Sequence, residues 1–202
     1  MSNKDLFEII KDTLESRPHV RVRDREAAYT EASVLIPLFR DNGKYKVLFT
    51  KRTDQVETHK GQISFPGGAK DEEDGSIRET ALREAYEEIG LIEKDVTILG
   101  RTDETLTFVS NFVIHPFVGY IPHPYNFNLS REEVERIINV PLDVFFVEKS
   151  QRKQETFKHN GKTFQTPSYN YKGNIIWGAT ARIMENFIDI IWEKLGLPAG
   201  GE

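Results

Sequence analysis

Within six residues the chain places Arg83, Glu84, Glu87 and Glu88, in the run REAYEEIG, shortly after the turn residues Pro66-Gly67-Gly68. On a helix advancing about 100° per residue, Ala81, Leu82, Ala85 and Ile89 fall on one face and Arg83, Glu84, Glu87 and Glu88 on the other side. Glu84 is an i,i+4 neighbour of Glu88 and an i,i+3 neighbour of Glu87, so three carboxylates share one small surface. Oxygen donors grouped in this way suit a hard cation such as Mg²⁺, which leaves positions open for water and phosphate oxygens. A solvated acidic face is the plainer reading, because repulsion between such neighbours costs only ~0.2–0.5 kcal/mol per pair. The Gly67-Gly68 turn favours the cation reading, since glycines let backbone amides approach an anionic ligand closely. Arg83, four residues before Glu87, can hold it in one orientation. The loop acids Asp71, Glu72, Glu73 and Asp74 read as peripheral to this face.

The elements that position these residues follow from periodicity and turn chemistry. A helix over 76–89 carries the acids and is capped by Gly90. A short strand near 62–66 runs into the Gly-Gly turn. Upstream, Asn42-Gly43 joins strands near 32–39 and 45–52 as a hairpin. Downstream come strands near 95–104 and 110–121, then a helix opened by Ser130 with Glu133 at capping-box spacing and stopped or restarted by Pro141. A second hairpin turns at Asn160-Gly161, and IIWGATARIMENFIDIIWEKLG closes the chain as a helix in which Trp177 and Trp192 serve packing. Leu6, Phe7, Ile9, Ile10 and Leu14 predict a flanking helix over 3–16, followed by a polar connector. The class is mixed α and β, of one domain's size.

Composition excludes several functions. A net charge of −5 and a pI near 5.6 argue against a broad basic face for nucleic acid, while local cations or a bound metal still admit a small anionic ligand. With no cysteine there is no disulfide, thiolate metal site or Cys nucleophile. The apolar runs SVLIPLF and FVIHPFVGYI are too short to cross a bilayer, and charges interrupt the first residues where a secretory signal would be apolar. A cytoplasmic protein without a membrane partner is expected.

From Gly68 to Leu91 the chain resembles the signature of the Nudix hydrolases: Gly, five residues, Glu, seven residues, then Arg-Glu-aliphatic-x-Glu-Glu-x-Gly-aliphatic. Arg83 to Leu91 fits the second half, with Ala85 in place of a larger aliphatic residue. The first half departs, since the acid after five residues is Asp74 and eight residues separate it from Arg83. The preceding segment LFTKRTDQVETHKGQISFPGG is similar to that of the coenzyme A pyrophosphatase branch through Thr50, Arg52, His59, Gly61, Gln62, Phe65 and Pro66. Glu57 stands where that pattern has Arg. VIHPFVGYI, VPLDVFF and IWGATARI are similar to further segments of the branch.

The resemblance implies an α/β/α sandwich with a mixed β-sheet, with the hydrolase domain over 31–196 between an N-terminal helix and connector (1–30) and a short tail (197–202). It implies hydrolysis of the diphosphate in a nucleoside diphosphate derivative, with Mg²⁺ or Mn²⁺ held by Glu84, Glu87 and Glu88 and Arg83 orienting them. Glu88, Glu104 and Glu133 are the candidate bases, and Arg52, His59, Gln62, Gly67 and Gly68 the candidate substrate contacts. His59 also reads as a structural hydrogen-bonding group, the commoner role for such a histidine, and Phe108 and Phe112 as core or as an adenine-stacking pair. The substrate implied is coenzyme A or a thioester. Glu57 opens the alternatives of ADP-ribose or a dinucleotide, because it reverses a charge that could contact a phosphate, unless it lies on a solvated loop. A ligand-sensing module without turnover is the reading from another class. Partners are a small nucleotide substrate and, at most, a second copy of the chain, as monomer or homodimer.

Overall fold

The computed structural model describes residues 5–22, 29–53, 61–107, 110–149, 153–159 and 162–195. The N-terminal apolar stripe forms α1 (Leu6–Ser16), and the runs either side of Asn42-Gly43 form β1 (Thr30–Asp41) and β2 (Lys44–Arg52). Asn42 and Gly43 take positive φ, 48° and 80°, the geometry whose twist matches that of the flanking strands. There follow β3 (Ile63–Ser64), β4 (Gly67–Ala69), α2 (Ile77–Ile89), β5 (Thr97–Arg101), β6 (Thr105–Leu106), β7 (Phe112–Tyr120) and β8 (Val134–Pro141). The chain continues through α3 (Leu142–Lys149), β9 (Lys153–His159), β10 (Lys162–Tyr171), β11 (Asn174–Ile176) and α4 (Gly178–Leu195).

Strands β1 to β8 make one mixed sheet with a spine ordered β3-β2-β1-β7-β5. Only β1 and β7 run parallel among the described pairs; β4 pairs with β1, β6 with β7 and β8 with β2, all antiparallel. Because successive strand residues point to opposite faces, β1 feeds two cores. Leu35 and Phe39 pack with Leu48 and with Ala81, Ala85 and Ile89 of α2. Ile36 and Leu38 face the other way, onto Ile10 and Leu14 of α1, Phe145 of α3 and Met184, Phe187 and Ile191 of α4. Each fully buried side chain of this size contributes ~1.5–3 kcal/mol, so the sheet is clamped between α2 and the other three helices. The result is the helix–sheet–helix layering that the family resemblance implies. Strands β9, β10 and β11 form a separate three-stranded sheet.

Four local expectations change. The helix predicted from Ser130 is a single turn, in which Ser130 O accepts from the N–H groups of Glu133 (3.1 Å) and Val134 (2.7 Å), followed by β8. The cap signal is real, but Val134, Ile137, Ile138 and Val140 gain more by pairing along β2 from Lys46 to Arg52. The closing helix starts at Gly178, because Asn174–Ile176 pairs with β10 instead. Trp177 therefore precedes the helix and is 37% exposed, whereas Trp192 lies against Phe146. Gly67 and Gly68 are strand rather than turn residues. The turn at Asn160-Gly161 lies outside the described residues, between strands paired from Lys162 with His159 onward.

Candidate active site

Local sequence fixes the phase of α2. Ser76 Oγ accepts from Glu79 N–H at 3.2 Å and Glu79 Oε2 accepts from Gly75 N–H at 2.9 Å, a reciprocal cap of two otherwise unpaired donors. At the other end Gly90, with φ of 68°, sends its N–H to Tyr86 O at 2.8 Å. With Ala81, Leu82, Ala85 and Ile89 buried, the acidic side of the helix turns toward β4 and the end of β2. The three acids differ sharply in exposure: the side chain of Glu87 is 50% exposed, that of Glu84 17% and that of Glu88 3%.

One guanidinium organises this face. Arg83 donates from Nε and Nη2 to the two carboxylate oxygens of Asp74 (2.9 and 3.1 Å), from Nη1 to Glu84 (2.9 Å) and Glu87 (2.8 Å), and from Nη2 to Ala69 O (3.1 Å). Asp74 is therefore not peripheral. It is buried, and its Oδ2 also accepts from Thr80 Oγ1 and from Asp71 N–H, each at 2.9 Å. The longer loop returns Asp74 to the helix through a turn closed by Asp74 N–H on Asp71 O. Hydrogen bonding from Arg83 outweighs burial and holds the Asp74 carboxyl down at about 2, and the same contact raises the pKa of Arg83. The pair is therefore ionised at neutral and mildly acidic pH.

Glu88 sits in a second cluster. Its Oε2 accepts from Thr50 Oγ1 at 3.4 Å, it also accepts from Gly67 N–H, and Oε1 lies 3.8 Å from Arg52 Nη1. Arg52 Nη2 in turn lies 3.9 Å from Glu133 Oε2. Ser130 N–H donates to Glu88 O at 2.9 Å, which ties the turn carrying Glu133 to the end of α2. Burial pushes Glu88 up to about 8; Glu84 and Glu133 push the same way and Arg52 opposes them. Glu84 is raised as well, first by burial and then by Glu87 and Glu133, against Arg83. Carboxylates crowded out of water in this way are short of positive charge.

A divalent cation would supply that charge. The donors are all carboxylate oxygens, as Mg²⁺ and Mn²⁺ prefer, and Gly68 keeps the space beside Glu84 open: a Cβ there would lie 2.5 Å from Glu84 Oε1. Among the described residues no three acidic or histidine side chains already converge as a ligand shell, but Glu84 and Glu87 are brought together at Arg83 Nη1. In donor chemistry the residues fit the group, with Arg83 orienting the two carboxylates that would hold it.

A cavity of about 320 Å³ opens beside Gly67 and Gly68, bounded also by Arg52, Gln62, Phe112 and Ile183. Gly67 is required by close approach, since a Cβ would fall 2.3 Å from Ser33 O on the paired strand. Arg52, Gln62, Gly67 and Gly68 thus share one site with Glu84, Glu88 and Glu133, and half-buried Phe112 belongs to the cavity wall. Glu104 is engaged elsewhere, accepting from Val22 N–H at 2.9 Å and lying 3.5 Å from His115 Nδ1, both side chains being buried. His59, Glu57 and Phe108 lie outside the described residues.

A family model described as NUDIX domain matches residues 29–159. The chain is 33% identical over 189 residues to Nudix hydrolase 22, chloroplastic, of Arabidopsis thaliana, covering 89% of this chain and 60% of that protein. It is 33% identical over 168 residues to the peroxisomal coenzyme A diphosphatase NUDT7 of Mus musculus, covering 80% and 70%. Among solved structures, a MutT/nudix family protein from Enterococcus faecalis superposes with a TM-score of 0.57 at 12% identity, over 97% of this chain and 73% of that one. The MutT protein from Methanosarcina mazei gives 0.53 at 14% identity, over 85% and 99%. At these identities the two structures are alike in fold.

Proposed function

The chain belongs to the Nudix family, and from that premise we propose that it is a divalent-metal-dependent pyrophosphohydrolase cleaving coenzyme A or its thioesters to 3′,5′-ADP and 4′-phosphopantetheine or its acyl form. The observation that carries the reading is the meeting of Glu88 and Glu133 with Arg52, with Glu84 beside Gly68, at a glycine-walled cavity. The choice of coenzyme A is supported by the upstream residues Thr50, Arg52, Gln62, Phe65 and Pro66 and by the mouse relative's name.

Glu84, Glu87 and Glu88 would hold the cation, Mg²⁺ or Mn²⁺, which when bound would neutralise diphosphate charge and make water a better nucleophile. The chain's own groups do the rest. Arg52 and the backbone at Gly67 and Gly68 bind the diphosphate, while Arg83, anchored by Asp74, keeps Glu84 and Glu87 in place, an orienting role. Water adds to one phosphorus, the bridging P–O bond breaks, and the departing phosphate keeps the bond electrons. Glu88 or Glu133, both beside Arg52, takes the water's proton. Glu104 accepts from Val22 N–H and lies beside His115.

A second reading, hydrolysis of ADP-ribose or a dinucleotide, is favoured by Glu57 at the position where the branch carries arginine. Incubation with coenzyme A, ADP-ribose and a diadenosine polyphosphate, each with Mg²⁺ and with Mn²⁺, separates the two by product chromatography. Release of 3′,5′-ADP and 4′-phosphopantetheine is expected; cleavage of only the other substrates replaces coenzyme A, and binding without cleavage of any would indicate a sensing module. No described helix is long and apolar enough to cross a membrane. A cytoplasmic setting is proposed on composition, the chain having no cysteine, although the relatives named above carry chloroplastic and peroxisomal names.

A further inference from the structure

A second cavity, of about 460 Å³, opens between the ends of β2 and β8 and the β10–β11 hairpin, within the ~300–1,000 Å³ range of small-molecule sites. Its walls include Lys51, Gln62, Arg136, Asn174, Ile175 and Trp177. Lys51 and Arg136 are directly opposite in the β2–β8 ladder, a placement that is unfavourable for like charges unless something anionic relieves it. Glu135 meets both, 2.7 Å from Lys51 Nζ and 3.5 Å from Arg136 Nε, so two cations share that one carboxylate. Arg136 Nη2 donates to Asn174 Oδ1 at 2.7 Å, which directs the guanidinium across the cleft toward the hairpin. On that side Trp177 and Ile175 are 37% and 47% exposed. An aromatic face beside a surplus of positive charge is the combination that takes a base and a phosphate together. Gln62 borders both this cleft and the apolar cavity beside Gly67, so a ligand with its diphosphate at Arg52 can extend into each.

We infer that this cleft binds the nucleotide end of the substrate, with the base on Trp177 and a ribose phosphate between Lys51 and Arg136, while the apolar cavity takes the other end. The inference rests on the coenzyme A reading for its choice of a ribose 3′-phosphate. The chain has two tryptophans, and in the Trp192→Phe protein Trp177 is the only indole. Titrating that protein without metal, 3′,5′-ADP quenches its fluorescence and binds about tenfold or more tightly than 5′-AMP, the size of a charge-assisted hydrogen bond. Arg136→Ala removes the difference between the two nucleotides. In turnover, Arg136→Ala raises KM for coenzyme A by a similar factor and leaves kcat, and both constants for 3′-dephospho-coenzyme A, near the wild-type values. Trp177→Ala raises KM for both substrates. Both side chains are exposed enough for the fold to survive their loss, which circular dichroism checks. If coenzyme A is hydrolysed and neither variant moves KM or nucleotide binding, the cleft assignment is wrong and the hydrolase reading stands. If 3′,5′-ADP quenches Trp177 selectively and no diphosphate is cleaved, the cleft stands and the hydrolase reading fails.

Discussion

Two aspartates, Asp74 buried and Asp103 half-buried, each hold an arginine, and they serve different ends. Asp74 binds Arg83 through both oxygens, and the remaining edge of that guanidinium holds Glu84 and Glu87. Asp103 binds Arg17 at 2.8 Å, accepts from Val20 N–H at 2.7 Å and from Asn186 Nδ2 at 2.9 Å, joining the segment after α1 to α4. Burial raises the pKa of Asp103, but the bonds from Val20, Asn186 and Arg17 outweigh it, so its carboxyl also lies below the ordinary value. The chemistry of the two pairs is nearly the same. What separates a positioning pair from a stapling pair is the set of groups at the arginine's other side and at the acid's other oxygen.

Breaking the site directly gives the largest effect. Glu88→Gln is expected to lower kcat by at least ~10²-fold, within the ~10²–10⁴ range of acid–base groups, while the melting temperature without metal holds or rises, because a carboxylate buried out of water is costly. Asp74→Asn loosens Arg83 and should cost ~10–100-fold in activity or metal affinity, as removal of an orienting partner does. Asp103→Asn makes the contrast: it is expected to destabilise by ~1–3 kcal/mol, at ~2–4 °C per kcal/mol for a chain of this size, with kcat/KM within about twofold of wild type. Equal losses of activity in Asp74→Asn and Asp103→Asn would erase the distinction between the two pairs.

The acid limb of the stability curve sharpens it further. The folded pKa of Asp74 is depressed from 3.8 to about 2, so its stabilising contribution is complete above the unfolded value and is lost as pH falls toward about 2. Thermal melts of wild type should fall more steeply between those two values than melts of Asp74→Asn. Tyr86→Ser, on a side chain 60% exposed, should change stability by less than ~0.5 kcal/mol and leave kinetics alone, as the control on the same helix.

The contrast also marks what the sequence can reveal. The α2 face was legible because residue spacing maps directly onto a helix surface, and the α2 caps are local too. The Asn42-Gly43 hairpin was legible for the same reason. Asp74 was not, because its role depends on a loop folding back by nine residues onto Arg83, and its displaced spacing read as a departure. The Ser130 segment misled because a genuine cap signal opened only one turn before β2 claimed the β-branched residues as a partner strand. Trp177 read as packing because its neighbours Ile175 and Ile176 carry helix-like apolarity, whereas pairing with β10 set it at a cleft wall. Glu133 meets Arg52, and Glu104 meets Val22, through contacts separated by dozens of residues.

The central claim is that the Glu84–Glu87–Glu88 face holds the cation that the diphosphate reaction needs. Mn²⁺ titration followed by electron paramagnetic resonance tests it without any substrate. The account predicts that wild-type protein binds Mn²⁺, that Mg²⁺ competes for the same site, and that Glu84→Gln and Glu88→Gln each weaken binding at least tenfold, about 1.4 kcal/mol. Unchanged Mn²⁺ affinity in both variants would contradict it.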